Sequence, residues 1–157
     1  MVYFVIFLAV LADQLTKWLM AGWLKPDKTF PIINEVLHFS YTENTGAAWG
    51  MLKDARWLFM SVSTVAILGI LAYLIFWKDH PKGTKWALAL ICGGGIGNMI
   101  DRIFLGYVID FIDFRLIDFP LFNIADSCVC VGTFLYLALF IADEVKKEKD
   151  KKISSED

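Results

Sequence analysis

The sequence predicts an all-α integral membrane protein with four transmembrane helices, both termini cytoplasmic, and a small β-containing element on the extracytoplasmic side. Three observations carry that reading. Of the 157 residues, 57% are hydrophobic and 15% aromatic, and mean hydropathy is +0.55, whereas a soluble domain is nearer half apolar with its apolar residues spread periodically. Here they gather in four blocks close to the ~20 residues a helix needs to cross a bilayer. Lysines then favour one side of those blocks, which sets the orientation.

The first span covers about 2–24, interrupted by Asp13, Gln14 and Lys17. It has no basic stretch before it and no small-x-small cleavage site, so it reads as a span and not a secretory leader. The segment from about 26 to 56 is too polar to cross. Pro31 and the alternation through Val36-Leu37-His38-Phe39-Ser40-Tyr41 suggest short strands, and Asn44-Thr45-Gly46 suggests a turn. The second span covers about 57–77 and is followed by a short basic loop from Lys78 to Lys85. The third, about 86–105, carries a glycine run from Gly93 to Gly97, whose Gly-x-x-x-Gly spacing suits close helix packing. The fourth covers about 122–142. Residues 1–144 form one catalytic domain on this reading, and 145–157 a charged cytoplasmic tail expected to be disordered.

The tail holds five lysines and the 78–85 loop three, on the same side if there are four spans. The opposite side carries Lys25, Lys28, Lys53, Arg56 and Arg115, so the bias toward the cytoplasm is modest. Trp18, Trp23 and Trp57 then mark the outer interface, and Trp77 and Trp86 the inner one. Cys92, Cys128 and Cys130 all lie in apolar runs and read as small buried hydrophobes. A net charge of −2 gives no field that would attract nucleic acid.

The polar residues of the spans converge. With the N-terminus inside, Asp13 lies about 18 Å and Lys17 about 24 Å along the first helix, in the outer half of a core about 30 Å thick. Asn98, Asp101 and Arg102 come late on an outward-running helix, and Asn123 and Asp126 early on an inward-running one. The connection between them, Val108 to Asp126, places Asp110, Asp113 and Asp118 among Phe, Ile, Leu and Pro. Carboxylates in such surroundings are costly unless paired, protonated or used for chemistry.

Each has a purely structural reading as well. Asp13 and Lys17 have the spacing of a helix ion pair. Asn98, Asp101 and Arg102 share one side of their helix and could pair with one another or orient a loop. Asn123 could cap the fourth helix, with Asp126 a first-turn acid facing its dipole. Spacing alone does not choose between Asp110 and Asp113.

Five blocks in order resemble the bacterial lipoprotein signal peptidases, the type II enzymes that cleave prolipoproteins. They are Asp13-Gln14-Leu15-Thr16-Lys17; Asn44-Thr45-Gly46-Ala47-Ala48-Trp49-Gly50; Gly93 through Arg102; Val108-Ile109-Asp110-Phe111; and Phe122-Asn123-Ile124-Ala125-Asp126-Ser127. The resemblance implies a catalytic dyad at Asp110 and Asp126. It implies a pocket built and braced by Asp13, Lys17, Asn44, Gly46, Asn98, Asp101, Arg102 and Asn123, and a small extracytoplasmic β-sheet. It further implies an aspartic endopeptidase of the bacterial cytoplasmic membrane, with its site near the outer leaflet, open to globomycin-like cyclic peptides. Such an enzyme cuts diacylglyceryl-modified prolipoproteins on the amino side of the lipidated cysteine.

Two facing carboxylates share one proton, so one activates water while the other protonates the carbonyl. That chemistry needs no metal and no cofactor, and neither His38 nor His80 is placed to serve as a nucleophile's base. The expected partners are lipid-modified prolipoproteins and membrane lipid, with no nucleic acid, and the chain is read as a monomer. Two rival readings are a metal-dependent lipid phosphotransferase, using Asp101, Asp110 and Asp126 around Mg²⁺, and a small proton-coupled transporter relaying through Asp13 and Lys17.

Overall fold

The computed structural model describes residues 1–25, 28–46, 56–76 and 81–156. Expectations placed on Lys53, Trp77, Lys78, His80 and the Ala47-Ala48-Trp49-Gly50 part of the second block lie outside those residues. Among the described residues, four helices are long and apolar enough to cross a membrane: α1 (Val2–Leu24), α2 (Arg56–Phe76), α3 (Lys82–Phe104) and α4 (Ile124–Glu156). Three strands, β1 (Thr29–Ile33), β2 (Leu37–Asn44) and β3 (Val108–Phe114), form one antiparallel sheet in the order β1-β2-β3.

The helix at the centre of the bundle is α3, which packs against α1, α2 and α4. Its sequence explains why. Ala87, Ala89, Gly93, Gly94 and Gly97 are all buried, and small residues let helix backbones approach where lipid gives no hydrophobic drive. A Cβ on Gly93 would lie 2.7 Å from that of Ala9 on α1, and one on Gly94 would overlap the Ala125 carbonyl oxygen on α4. From the other side, Gly132 of α4 fits against Ala87 and Ile91 of α3. The glycine run therefore serves packing, as its spacing predicts. By contrast α2 buries only Leu74, and large side chains such as Val65, Leu68 and Phe76 stay exposed on the isolated chain, as expected of a helix turned toward lipid.

The predicted strands are present, with Pro31 on the edge strand β1, where the register with β2 shifts between Pro31 and Ile33, an edge or bulge being where a strand tolerates proline. The third strand is a correction. Residues 108–114 read as a connection, because aspartates three apart break the alternation that marks a strand; yet they pair with β2 from Leu37↔Phe114 to Asn44↔Val108.

Two further expectations are corrected. The tail is not disordered: α4 continues as helix to Glu156. Lys147 pairs with Asp143 at 2.7 Å and Glu144 at 2.8 Å, the i,i+4 and i,i+3 pattern that supports an exposed helix. Of the cysteines only Cys92 is buried, Cys128 being half-buried and Cys130 exposed.

Candidate active site

One end of the bundle, where α3 ends, β3 follows and α4 begins, gathers Asp13, Gln14, Lys17, Asn98, Asp101, Arg102, Asn123 and Asp126. The base of the arrangement is Lys17, 2% exposed, whose ammonium reaches Asp13 at 2.9 Å, Asp101 at 3.0 Å and the Asn98 side-chain oxygen at 2.9 Å. The helix-pair reading of Asp13 and Lys17 thus holds, with Asp101 as a third member.

Each acid of that cluster also fixes another element. Asp13 Oδ1 accepts the backbone N–H of Ala125 at 2.9 Å, tying α1 to the first turn of α4. Asp101 Oδ2 accepts the N–H of Ile109 at 3.1 Å, setting the strand position immediately before Asp110. Gln14 closes the cluster, donating to Asp101 Oδ1 at 2.9 Å and to the Gly97 carbonyl at 3.1 Å. Gln14 is a member the sequence reading did not single out, although it lies within the first block.

Above this base sit Asp110 and Asp126. Asp110 is 2% exposed and accepts Asn123 Nδ2 at 2.7 Å on one oxygen and Asn44 Nδ2 at 2.9 Å on the other. Asp126 accepts Asn98 Nδ2 at 2.8 Å. Its second oxygen takes the backbone N–H of Asn123 at 3.2 Å, while the Asn123 side-chain oxygen takes the N–H of Asp126 at 2.9 Å. That reciprocal pair is a capping box, so the helix-cap reading of Asn123 and Asp126 is correct and coexists with their place in the site. Asn123 Nδ2 also reaches Asn98 Oδ1 at 3.1 Å, so two amides link the carboxylates across the gap.

Both acids line a cavity of about 340 Å³, together with Asn44, Gly46, Asn98 and Arg102. Gly46 donates its N–H to the Asn44 side-chain oxygen at 2.9 Å, which turns the Asn44 amide toward Asp110. The rest of the wall is apolar: Phe59, Val108 and the run from Phe119 to Phe122; of these, Val108 and Phe122 lie in the sequence blocks, while Phe59 carried no signal there. The Arg102 guanidinium lies 5.2 Å above the Phe59 ring, a cation–π contact that holds it at the rim. Burial, and after it the charge of Asp126, pushes the Asp110 carboxyl up to about 7.

Geometry sets Asp110 and Asp113 in different surroundings. Asp113 pairs with Arg115 at 2.8 Å and accepts Ser40 Oγ at 2.8 Å within the sheet, and it does not line the cavity. Asp101 has its oxygens engaged by Gln14, Lys17 and Ile109 and does not line the cavity. Among the described residues, no group of three or more His, Cys, Asp or Glu side chains is placed to hold a metal ion.

A sequence pattern describing signal peptidase (SPase) II matches residues 5–142. The chain belongs to the signal peptidase II family. Its relatives include lipoprotein signal peptidases of Halalkalibacterium halodurans, 40% identical over 96% of this chain and 99% of that one, and of Symbiobacterium thermophilum, 46% identical over 83% and 90%. A solved bacterial membrane enzyme superposes with a TM-score of 0.87 at 31% identity, covering 93% of this chain and 90% of its own. As a signal peptidase II the chain is a hydrolase, a peptidase carried by a multi-pass membrane fold.

Proposed function

We propose that Asp110 and Asp126 are the catalytic dyad of this signal peptidase II, acting on a peptide bond of a lipid-modified prolipoprotein. The observation that carries the reading is the cavity they share, reached from a strand and from a helix start and bridged by Asn98 and Asn123. Removal of signal peptides from lipoproteins is the activity of the family. The dyad supplies chemistry for it.

One carboxylate takes a proton from water as the water oxygen attacks the scissile carbonyl carbon. The other, protonated, donates to the carbonyl oxygen, giving a tetrahedral diol. The roles then reverse: the first acid protonates the departing amine nitrogen, the C–N bond breaks, and the second recovers its proton from a diol hydroxyl. Phe59 and the apolar 119–122 wall suit the lipidated side of the cut, and Arg102 with the Asn44 turn suits its polar peptide.

The site end of the bundle faces the extracytoplasmic side in this reading, near the outer leaflet, with both termini inside. The acyl chains of the substrate then remain in the membrane while the bond before the modified cysteine enters the cavity. The test is processing of a diacylglyceryl-modified prolipoprotein by Asp110→Asn and Asp126→Asn, with and without a chelator. Each variant inserts and loses cleavage by about a thousandfold or more, chelation changes nothing, and Asp113→Asn stays active. Normal processing by either dyad variant refutes the assignment, and loss on chelation favours the metal-dependent reading.

A further inference from the structure

We propose that Lys17 directs the proton within the dyad: acting through the Asn98 amide, it holds the negative charge on Asp126 and leaves the shared proton on Asp110. Lys17 touches neither acid, so it is a positioning residue, and the inference rests on the dyad reading above.

An ammonium has three N–H donors and no acceptor. Two of the Lys17 donors go to Asp13 and Asp101, and the third goes to the neutral Asn98 amide at 2.9 Å. Because Lys17 can only donate, the Asn98 oxygen must face it, and the Asn98 NH₂ must therefore face Asp126, where it donates at 2.8 Å. A second donor, Asn123 Nδ2, reaches the same Asn98 oxygen at 3.1 Å. Hydrogen bonds in a chain polarise one another, so a cation at the oxygen end strengthens the donor at the nitrogen end. The anion that benefits is Asp126.

The surroundings separate the two acids further. Asp126 lies in the first turn of a 33-residue helix, where the macrodipole favours a negative charge, and it is only half-buried. Asp110 sits on a strand, has no helix end beside it and is 2% exposed, which favours the neutral acid. The other charged groups near the pair are Arg102, which lines the cavity with both acids, and Asp13 and Asp101, which are paired to Lys17. Those two carboxylates offset part of the field of Lys17; what remains draws the Asp110 carboxyl down but is outweighed there by burial and the charge of Asp126, while the contact through Asn98 is made to Asp126. The raised Asp110 carboxyl, at about 7, is consistent with the proton residing there.

The experiment follows kcat and KM against pH for the full chain in lipid nanodiscs, with a diacylglyceryl-modified prolipoprotein as substrate. The double variant Asp13→Asn/Lys17→Met removes one acid with the base, so the buried cluster keeps its net charge. Expected results are an acid limb of the kcat profile moved up by about one pH unit, kcat at the optimum about tenfold lower, and KM within about threefold. A folded double variant whose acid limb coincides with that of the wild type overturns the proposal, whatever its kcat. The wild-type chain gives an independent reading if the double variant does not fold. The side-chain ¹⁵N resonance of Asn98 shifts along the acid limb, and a resonance flat through that range overturns the proposal as well. Asp110→Asn and Asp126→Asn separate the two levels: normal cleavage by either removes the dyad and this proposal together. Inactivity of both beside an unmoved limb removes only the role of Lys17.

Discussion

Replacing Gly97 with alanine disturbs the ion-paired base of the site without altering a polar group. A Cβ at that position would lie 2.5 Å from Oδ2 of Asp13 and 3.3 Å from the Ala125 Cβ, where ordinary contact begins at 3.4 Å. Asp13 is fully buried and cannot swing into solvent, so its carboxylate or the α1 backbone retreats by about 1 Å. That oxygen carries the 2.9 Å pair with Lys17, and its twin the 2.9 Å bond from Ala125 N–H. Both bonds stretch beyond useful length. Deleting one partner of a buried pair costs about 3–5 kcal/mol; here both charges remain and the helices relax, so about 2–3 kcal/mol is expected. Because Ala125 precedes Asp126, a shift of that size at the start of α4 lowers kcat by about a hundredfold. Thermal unfolding in detergent and cleavage of a lipid-modified prolipoprotein measure the two effects. Gly22→Ala, with nothing within 4 Å of the added methyl, is the control and stays within about 0.5 kcal/mol. A Gly97→Ala chain that unfolds with the control and cleaves within about threefold of the wild type would refute the reasoning.

Stability should fall as pH rises toward neutrality through Asp110. Its carboxyl stands at about 7 in the fold against an ordinary 3.8. The stabilisation from burying the neutral acid is therefore complete below about pH 4 and is lost as pH climbs through 7. Unfolding curves of Asp110→Asn from pH 4 to 8 should be flatter than those of the wild type, and equal slopes would contradict the assignment. Deleting residues 145–157 leaves the site's contacts untouched, so cleavage should stay within about twofold; a larger loss, measured with the same substrate, would show that the tail belongs to the catalytic unit.

The spans and the meeting of their polar residues at one end of the bundle were legible because helix rise and span length are strong local constraints. Even the roles of Gly93 and Gly97 followed from spacing. What escaped depends on partners remote in sequence. β3 becomes a strand only because β2 offers an edge, and no alternation in Val108–Phe114 signals it. Asp110 and Asp113 differ by which neighbours reach them, Asn44 and Asn123 for one, Ser40 and Arg115 for the other. Gln14 and Phe59 gave no signal by type, since a polar residue beside Asp13 and an aromatic one in a span are both ordinary. The tail was misread because high charge resembles disorder by composition, while the placement of Lys147 after Asp143 and Glu144 favours helix.

The capping box at the head of α4 bears on how an inactive enzyme should be made. Asp126 closes that helix terminus with the same carboxylate that faces the cavity, so truncating it to alanine would strip an amide of its acceptor along with the carboxylate proposed for the reaction. Asparagine keeps an oxygen in place for the Asn123 N–H, at the risk of turning its amino group toward Asn98. A dead mutant at this position reports on architecture and reactivity at once, and only the gentler replacement lets the two be told apart.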